Sequence, residues 1–263
     1  MQAKYDDIGI DYNQTRRADP YLVGRMQHHL MPQAGRQYLD IGCGTGNYTS
    51  QIAGSAYEFI GIDPSGVMLA KAKKRSKRIK WQLGTAEKTG LEASSMSGCL
   101  ASLTIHHWQN LNAAFRELAR VLIPGAPMVI FTSTPEQMLG YWLNHYFPRM
   151  MADSMAVMPS YELVSEAMEE AGFRIMEVER YFVRPDLQDK FLYCGKEQPA
   201  LYLQPEIRNG ISSFSELAYE AEVQQGLMQL ETDLQNGVVD SIMDQYKNQT
   251  GDYLFIKAIR ATR

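Results

Sequence analysis

The sequence predicts an α/β protein, a mostly parallel sheet with helices on both faces. Three observations carry this. From residue 37, apolar strand-like runs alternate with helical patterns, the order that strand–helix–strand crossovers require. The first run, Tyr38 to Ile41, stops in Gly42-Cys43-Gly44-Thr45-Gly46, three glycines at alternate positions before a helix-compatible stretch from Asn47. The second, Phe59 to Ile62, ends in Asp63, about twenty residues further on.

Taken in order, residues 1–36 carry a helical pattern with Leu22, Val23, Met26 and Leu30 on one face, closed by Pro32 and Gly35. They read as an N-terminal helical lid or a packing helix at the sheet edge. Strands are expected near 38–41, 58–62, 79–83, 98–104 and 127–132, and helices near 47–54, 66–76 and 110–122. Residues 134–159 are rich in aromatics and methionine, which suits core packing or one wall of an apolar pocket. Tyr161 to Ala171 is amphipathic and ends at Gly172, 173–183 reads as a strand, and Asp252 to Ala258 reads as the last strand. Between them lies an insertion, about 184–250, that is mostly helical. Phe214, Leu217, Leu227, Leu230 and Leu234 make one long apolar face there, and Val239, Ile242, Met243 and Tyr246 make another after Gly237. The expected domains are a lid at 1–36, a core at 37–183 plus 251–263, and a cap at 184–250. A dimerisation surface is the other reading of the insertion.

The order strand, glycine loop, helix, strand, acid describes an adenosine site. The helix points free N–H groups back at the ligand, and Asp63 is placed for ribose hydroxyls. Asn47 stands where a dinucleotide loop of the G-x-G-x-x-G type has its last glycine, which argues against a nicotinamide oxidoreductase.

Leu39-Asp40-Ile41-Gly42-Cys43-Gly44-Thr45-Gly46 resembles motif I of the class I S-adenosylmethionine (SAM) methyltransferases, and Gly61-Ile62-Asp63-Pro64-Ser65 resembles their motif II. The chain is similar to the type 11 small-molecule group, close to bacterial members with a helical cap. The resemblance implies a Rossmann-like, seven-stranded, mostly parallel sheet, SAM as cofactor with S-adenosylhomocysteine as product, and no metal. It implies cofactor contacts from Asp40, Gly42, Cys43, Gly44, Asn47, Asp63, Pro64 and Met68. Tyr5-Asp6-x-Ile8-x-x-x-Tyr12-x-x-x-Arg16 resembles the family's N-terminal segment, in which the Tyr and Arg close over the methionine end of SAM. Tyr12 and Arg16 take those places, and Arg17 is the rival arginine. Gly84-Thr85-Ala86-Glu87 resembles the adenine-binding Gly-Asp-Ala-Glu motif, with Thr85 in place of the aspartate. Ser97 to Trp108 resembles the fourth strand and its exit loop, where the carbonyl of Leu103 or a neighbour accepts from the SAM amine. Arg120-Val121-Leu122 and Pro124-Gly125 match the turn into the fifth strand.

His106 is the first candidate for a general base and His145 the second, since imidazole accepts a proton near neutral pH. His107 reads as a structural neighbour of Trp108. Trp142, Tyr146 and Arg208 are the candidate acceptor contacts, the arginine for an anionic acceptor. The expected function is methyl transfer to a small molecule by in-line displacement. The alternative is a SAM-binding but inactive regulatory or partner protein, which Thr85 and Ser97 keep open.

Composition narrows the partners. The 263 residues carry a formal net charge of −4, so no overall field draws nucleic acid. Seven basic residues between Lys71 and Lys80 fit a solvated helix face. A flipped-base motif is missing from the fourth strand exit, so no nucleic-acid partner is expected. Three widely spaced cysteines suggest a reducing compartment, and no run approaches the ~20 apolar residues of a membrane span. A cytoplasmic protein with no membrane partner is expected. The sequence leaves the oligomeric state open, a homodimer included.

Overall fold

Near-continuous apolar runs bury both faces of the central strands, and the computed structural model, which describes residues 15–262, pairs the strands into one seven-stranded sheet. The strands are β1 Gln37–Ile41, β2 Glu58–Asp63, β3 Lys80–Leu83, β4 Cys99–Ser102, β5 Pro127–Thr132, β6 Phe173–Tyr181 and β7 Tyr253–Arg260. Their spatial order is β3-β2-β1-β4-β5-β7-β6. Neighbours from β3 to β5 are parallel, and β7 lies antiparallel between β5 and β6. The α-helices are α1 Pro20–Leu30, α2 Asn47–Ala53, α3 Gly66–Arg75, α4 Leu111–Val121, α5 Pro135–Met138, α6 Leu143–Tyr146, α7 Pro148–Ala156, α8 Tyr161–Glu170, α9 Pro205–Asn209, α10 Glu220–Gln235 and α11 Val239–Gln245.

Strand alternation sorts the core into two layers. Tyr38, Leu100, Val129, Phe131 and Phe255 pack with α1 to α3 and the helical insertion. Leu39, Ile41, Met128, Ile130 and Ile256 pack with α4 and α8. Short polar residues start the helices by accepting backbone N–H groups: Asp19 for α1, Ser65 for α3, Asn110 for α4 and Ser160 for α8. Strand order reverses at β1, where the chain first builds outward to β3 and then returns to β4. The carboxyl ends of β1 and β4 therefore frame a crevice.

The elements differ from expectation in three places. The fourth strand stops at Ser102, because Leu103 takes a left-handed backbone (φ 50°) and Ile105–His107 winds into a 3-10 turn. The sixth strand ends at Tyr181. The long face from 214 to 234 is broken: Ser213–Leu217 is a π-helical turn, Ala218 and Tyr219 are extended, and α10 starts only at Glu220.

The insertion is fastened to the core at several points. Glu222 of α10 accepts from the backbone N–H groups of Arg149 and Met150, capping α7. The Tyr146 hydroxyl donates to Asp233, Trp142 Nε1 donates to the Lys196 carbonyl, and Lys196 pairs with Asp252 at 2.8 Å. A Cβ on Gly226 would overlap the Tyr146 carbonyl, so α10 lies directly on α6. Among the described residues, no helix is long and apolar enough to cross a membrane.

Candidate active site

The glycine loop is held by the strand beside it. Register aligns Ile41 with Ile62, and the N–H groups of Gly42 and Cys43 both donate to the Ile62 carbonyl, at 2.8 and 3.0 Å. The Gly44 N–H donates to Asp63 Oδ2 and the Ser65 N–H to Asp63 Oδ1, each at 2.8 Å. The Asp63 carboxylate, 6% exposed, is thus fixed at the lip of the loop. Gly42 and Gly44 have φ of 70° and 54°. A Cβ on Gly42 would overlap Thr104, whereas one on Gly44 would meet no protein atom within 4 Å. The space that Gly44 leaves open is the space a ligand backbone-to-backbone with the loop requires.

That space belongs to a cavity of about 1560 Å³, counting its open mouth. One end is lined by Arg16, Asp40, Gly42 to Thr45, Asn47, Tyr48, Asp63, Pro64 and Met68. Ser102, Leu103, Thr104, His106 and His107 line it from the exit of β4, and Ser133 from the end of β5. Met138, Tyr141, Ser154, Val157 and Met158 contribute from α5 to α7 and the turns beside them. The insertion supplies Asp189, Phe191, Leu192, Ile211, Ser212, Ser213, Glu216 and Leu217, and β7 supplies Tyr253.

Asp40 is a buried carboxyl of the lining. It is 3% exposed, and burial pushes its pKa up to about 7; the hydrogen bond from Thr49 opposes this and the charge of Asp63 adds to it. Burial also pushes the Cys43 thiol well above its ordinary range, so it is no nucleophile. The rings of His106 and His107 lie 3.9 Å apart, tilted by 50°.

The cavity brings together most of the expected cofactor set: Arg16, Asp40, Gly42, Cys43, Gly44, Asn47, Asp63, Pro64, Met68 and Leu103, with His106 beside them. Tyr12 lies outside the described residues. Thr85, Ala86 and Glu87 do not line it. The turn closes on itself through a Thr85–Lys88 bridge, Ala86 is buried in the α4 layer, and Glu87 accepts from the N–H groups of Gln109 and Asn110.

Every expected acceptor contact lies elsewhere. Trp142 and Tyr146 are core residues whose polar atoms are committed to Lys196 and Asp233. Arg208 donates to the Tyr202 carbonyl within the insertion. His145 bonds Gln229 of α10, away from the cavity. Of the aromatic and methionine stretch, Met138, Tyr141 and Met158 do reach the cavity, and His107, read as structural, lines it too. Sequence reasoning missed Tyr48, Asp189 and Glu216. Tyr48 follows Asn47 directly and could have been found from that position; nothing local marks the other two.

Comparison with known proteins agrees with this arrangement. Residues 39–130 match the family model described as a methyltransferase domain. A crystal structure of a putative methyltransferase from an antibiotic biosynthesis pathway of Anabaena variabilis superposes with a TM-score of 0.83. It is 32% identical, and the match covers 93% of this chain and 98% of that one. The chain belongs to the class I SAM-dependent methyltransferases. An uncharacterised methyltransferase of Mycobacterium tuberculosis is 32% identical over 112 residues, covering 43% of this chain and 46% of that protein. A ubiquinone/menaquinone biosynthesis C-methyltransferase of Rubrivivax gelatinosus is 31% identical over 118 residues, covering 44% and 45%. The chain therefore spans about half the length of these curated relatives.

Proposed function

We propose that the protein transfers a methyl group from SAM to a small-molecule acceptor seated in the apolar part of the cavity. The observation that carries this is the continuity of one cavity from the glycine loop and Asp63 to a chamber walled by Met138, Tyr141, Val157, Met158 and Leu217. Bound SAM supplies a methyl group on a positively charged sulfur, open to in-line attack.

The chain's own residues bind, orient and enclose. Asp63 accepts from ribose hydroxyls while the backbone holds it in place. Asp40 faces the positive charge of the methionine end, and Arg16 its carboxylate. Alignment of two bound molecules and exclusion of water supply several kcal/mol of the rate enhancement. His106 accepts the proton where the acceptor is a hydroxyl or amine; a thiolate, carbanion or carboxylate acceptor needs no base. Methyl transfer from a sulfonium needs no metal, and we assign none. The insertion is a cap over the acceptor: eight of its residues line the cavity, from Asp189 to Leu217. The unbridged Cys43, Cys99 and Cys194 suit a cytoplasmic protein.

The test is release of S-adenosylhomocysteine from SAM across a panel of small apolar acceptors bearing hydroxyl, amine or thiol groups. Acceptor-dependent release supports the reading. Binding of S-adenosylhomocysteine with no release above the acceptor-free rate on any of them favours the inactive SAM-binding alternative.

A further inference from the structure

The arginine at the cofactor end of the cavity is held by the cap. Arg16 Nε donates to Asp189 Oδ1 at 2.5 Å and Arg16 Nη2 to Asp189 Oδ2 at 3.3 Å. The Tyr48 hydroxyl donates to the same Oδ2 at 3.1 Å, from the first turn of the helix after the glycine loop. Asn47 Nδ2 donates to the Arg16 carbonyl. Asp189 is 1% exposed, so its charge has no water to rely on and is met by these donors. Burial, then the charge of Asp189, pushes the Tyr48 phenol well above its ordinary range, so it stays a donor.

Asp189 is the middle of three successive residues that grip the N-terminal segment in antiparallel order. The Gln188 N–H donates to Asp19 Oδ2 at 3.0 Å, and the Lys190 N–H donates to the Thr15 carbonyl at 3.1 Å. The segment 15–19 therefore lies between the glycine-loop helix on one side and the start of the cap on the other. A Cβ on Gly210, further along the cap, would overlap the Thr15 hydroxyl, so the contact is close there too.

We propose that Asp189 is a positioning residue that aims Arg16 at the carboxylate of the cofactor and thereby ties cap placement to cofactor binding. This rests on the reading of the cavity as a SAM site. Asp189 takes the side edge of the guanidinium, Nε and Nη2, and so sets the plane in which the fork of Arg16 meets a second carboxylate. The same carboxylate that fixes the arginine sits two and three residues before Phe191 and Leu192, which line the cavity. Cofactor held by Arg16 thus stabilises the first stretch of the acceptor wall.

The test compares two ligands, S-adenosylhomocysteine and 5′-methylthioadenosine, which shares the adenosine and thioether but has no amino-acid carboxylate. Wild type binds the first more tightly. Asp189→Asn weakens S-adenosylhomocysteine by about 10–100-fold, the usual worth of a hydrogen bond to a charged group, and leaves 5′-methylthioadenosine unchanged. A purely structural role lowers both equally, and that result overturns the proposal. So does unchanged affinity for both. Wild type that binds neither ligand overturns the SAM reading itself, which is a separate failure. Should Asp189→Asn not fold, the double variant Arg16→Met/Asp189→Asn carries the comparison. It is expected to fold and to lose the preference for S-adenosylhomocysteine. A double variant that does not fold, or that keeps the preference, overturns the proposal.

Discussion

Asp40→Asn separates the stability of the fold from the affinity of its site. The Asp40 carboxyl sits at the end of β1, 3% exposed, with its ordinary pKa of 3.8 pushed up to about 7 by burial. A carboxyl whose folded-state pKa is raised favours folding most at low pH. That contribution is lost as the pH rises from 3.8 towards 7, because the unfolded chain ionises there while the buried group in the folded state keeps its proton. At ~1.4 kcal/mol for each pH unit of that gap, the raised pKa of Asp40 costs the fold about 4 kcal/mol at pH 8 and about 2 kcal/mol at pH 5, where only the unfolded chain has given up the proton. Asparagine keeps the shape and can accept from Thr49 as the aspartate does, without the charge. The variant is therefore expected to unfold at a temperature higher by about 5–15 °C at pH 8, with the gain shrinking as the pH falls. Affinity moves the other way. The ammonium of the ligand favours ionised Asp40, so wild-type affinity for S-adenosylhomocysteine rises between pH 6 and 8. Below pH 7 binding releases a proton, measurable by calorimetry in two buffers of different ionisation enthalpy. In the variant both the pH dependence and the proton release disappear. A variant less stable than wild type at pH 8, or a stability difference that ignores pH, refutes the reasoning.

Three further outcomes are expected. Asp63→Ala removes a ribose acceptor and also the anchor of the Gly44 and Ser65 N–H groups, so S-adenosylhomocysteine affinity falls by about 3 kcal/mol, the upper end for such bonds; titration that finds no loss places the ribose elsewhere. His106→Ala slows turnover of a hydroxyl or amine acceptor by about 100-fold with little change in S-adenosylhomocysteine affinity, while His145→Ala, on the Gln229 contact outside the cavity, leaves both unchanged; equal effects would remove His106 from its role. Glu222→Gln weakens the cap on α7 and costs about 1 kcal/mol in chemical denaturation, with faster hydrogen exchange at Arg149 and Met150; unaltered exchange there would mean that the α10–α7 contact carries no stability.

The sheet was legible because its signals are local. The apolar runs of the core strands, the glycine loop after Ile41 and the helical patterns between them each act within a few residues, and they set the element order of the core. The meeting of Gly42 to Asn47 with Asp63 in one cavity followed, because these are strand-end positions that a parallel sheet brings together. The acceptor end was not legible. Trp142 and Tyr146 look like pocket residues by composition, but Tyr146 is turned to Asp233 and Trp142 to Lys196, partners 87 and 54 residues away. The cavity instead takes Ser154, Val157 and Met158 from one element and Ile211 to Leu217 from another, a pairing fixed by how the insertion docks. Asp189 has no sequence signature at all. Its meaning comes from Arg16, 173 residues earlier in the chain. Thr85 to Glu87 show the converse: a motif match in a turn whose backbone closes on itself, with Ala86 in the α4 layer and Glu87 on the Gln109–Asn110 backbone.

The most direct test of the account is calorimetric titration of the 263-residue protein with S-adenosylhomocysteine and, separately, with NADH. The glycine loop, Asp63 and the cavity beside them predict micromolar binding of the first and none of the second. Binding of NADH alone, or of neither, would contradict the assignment of this cavity to SAM.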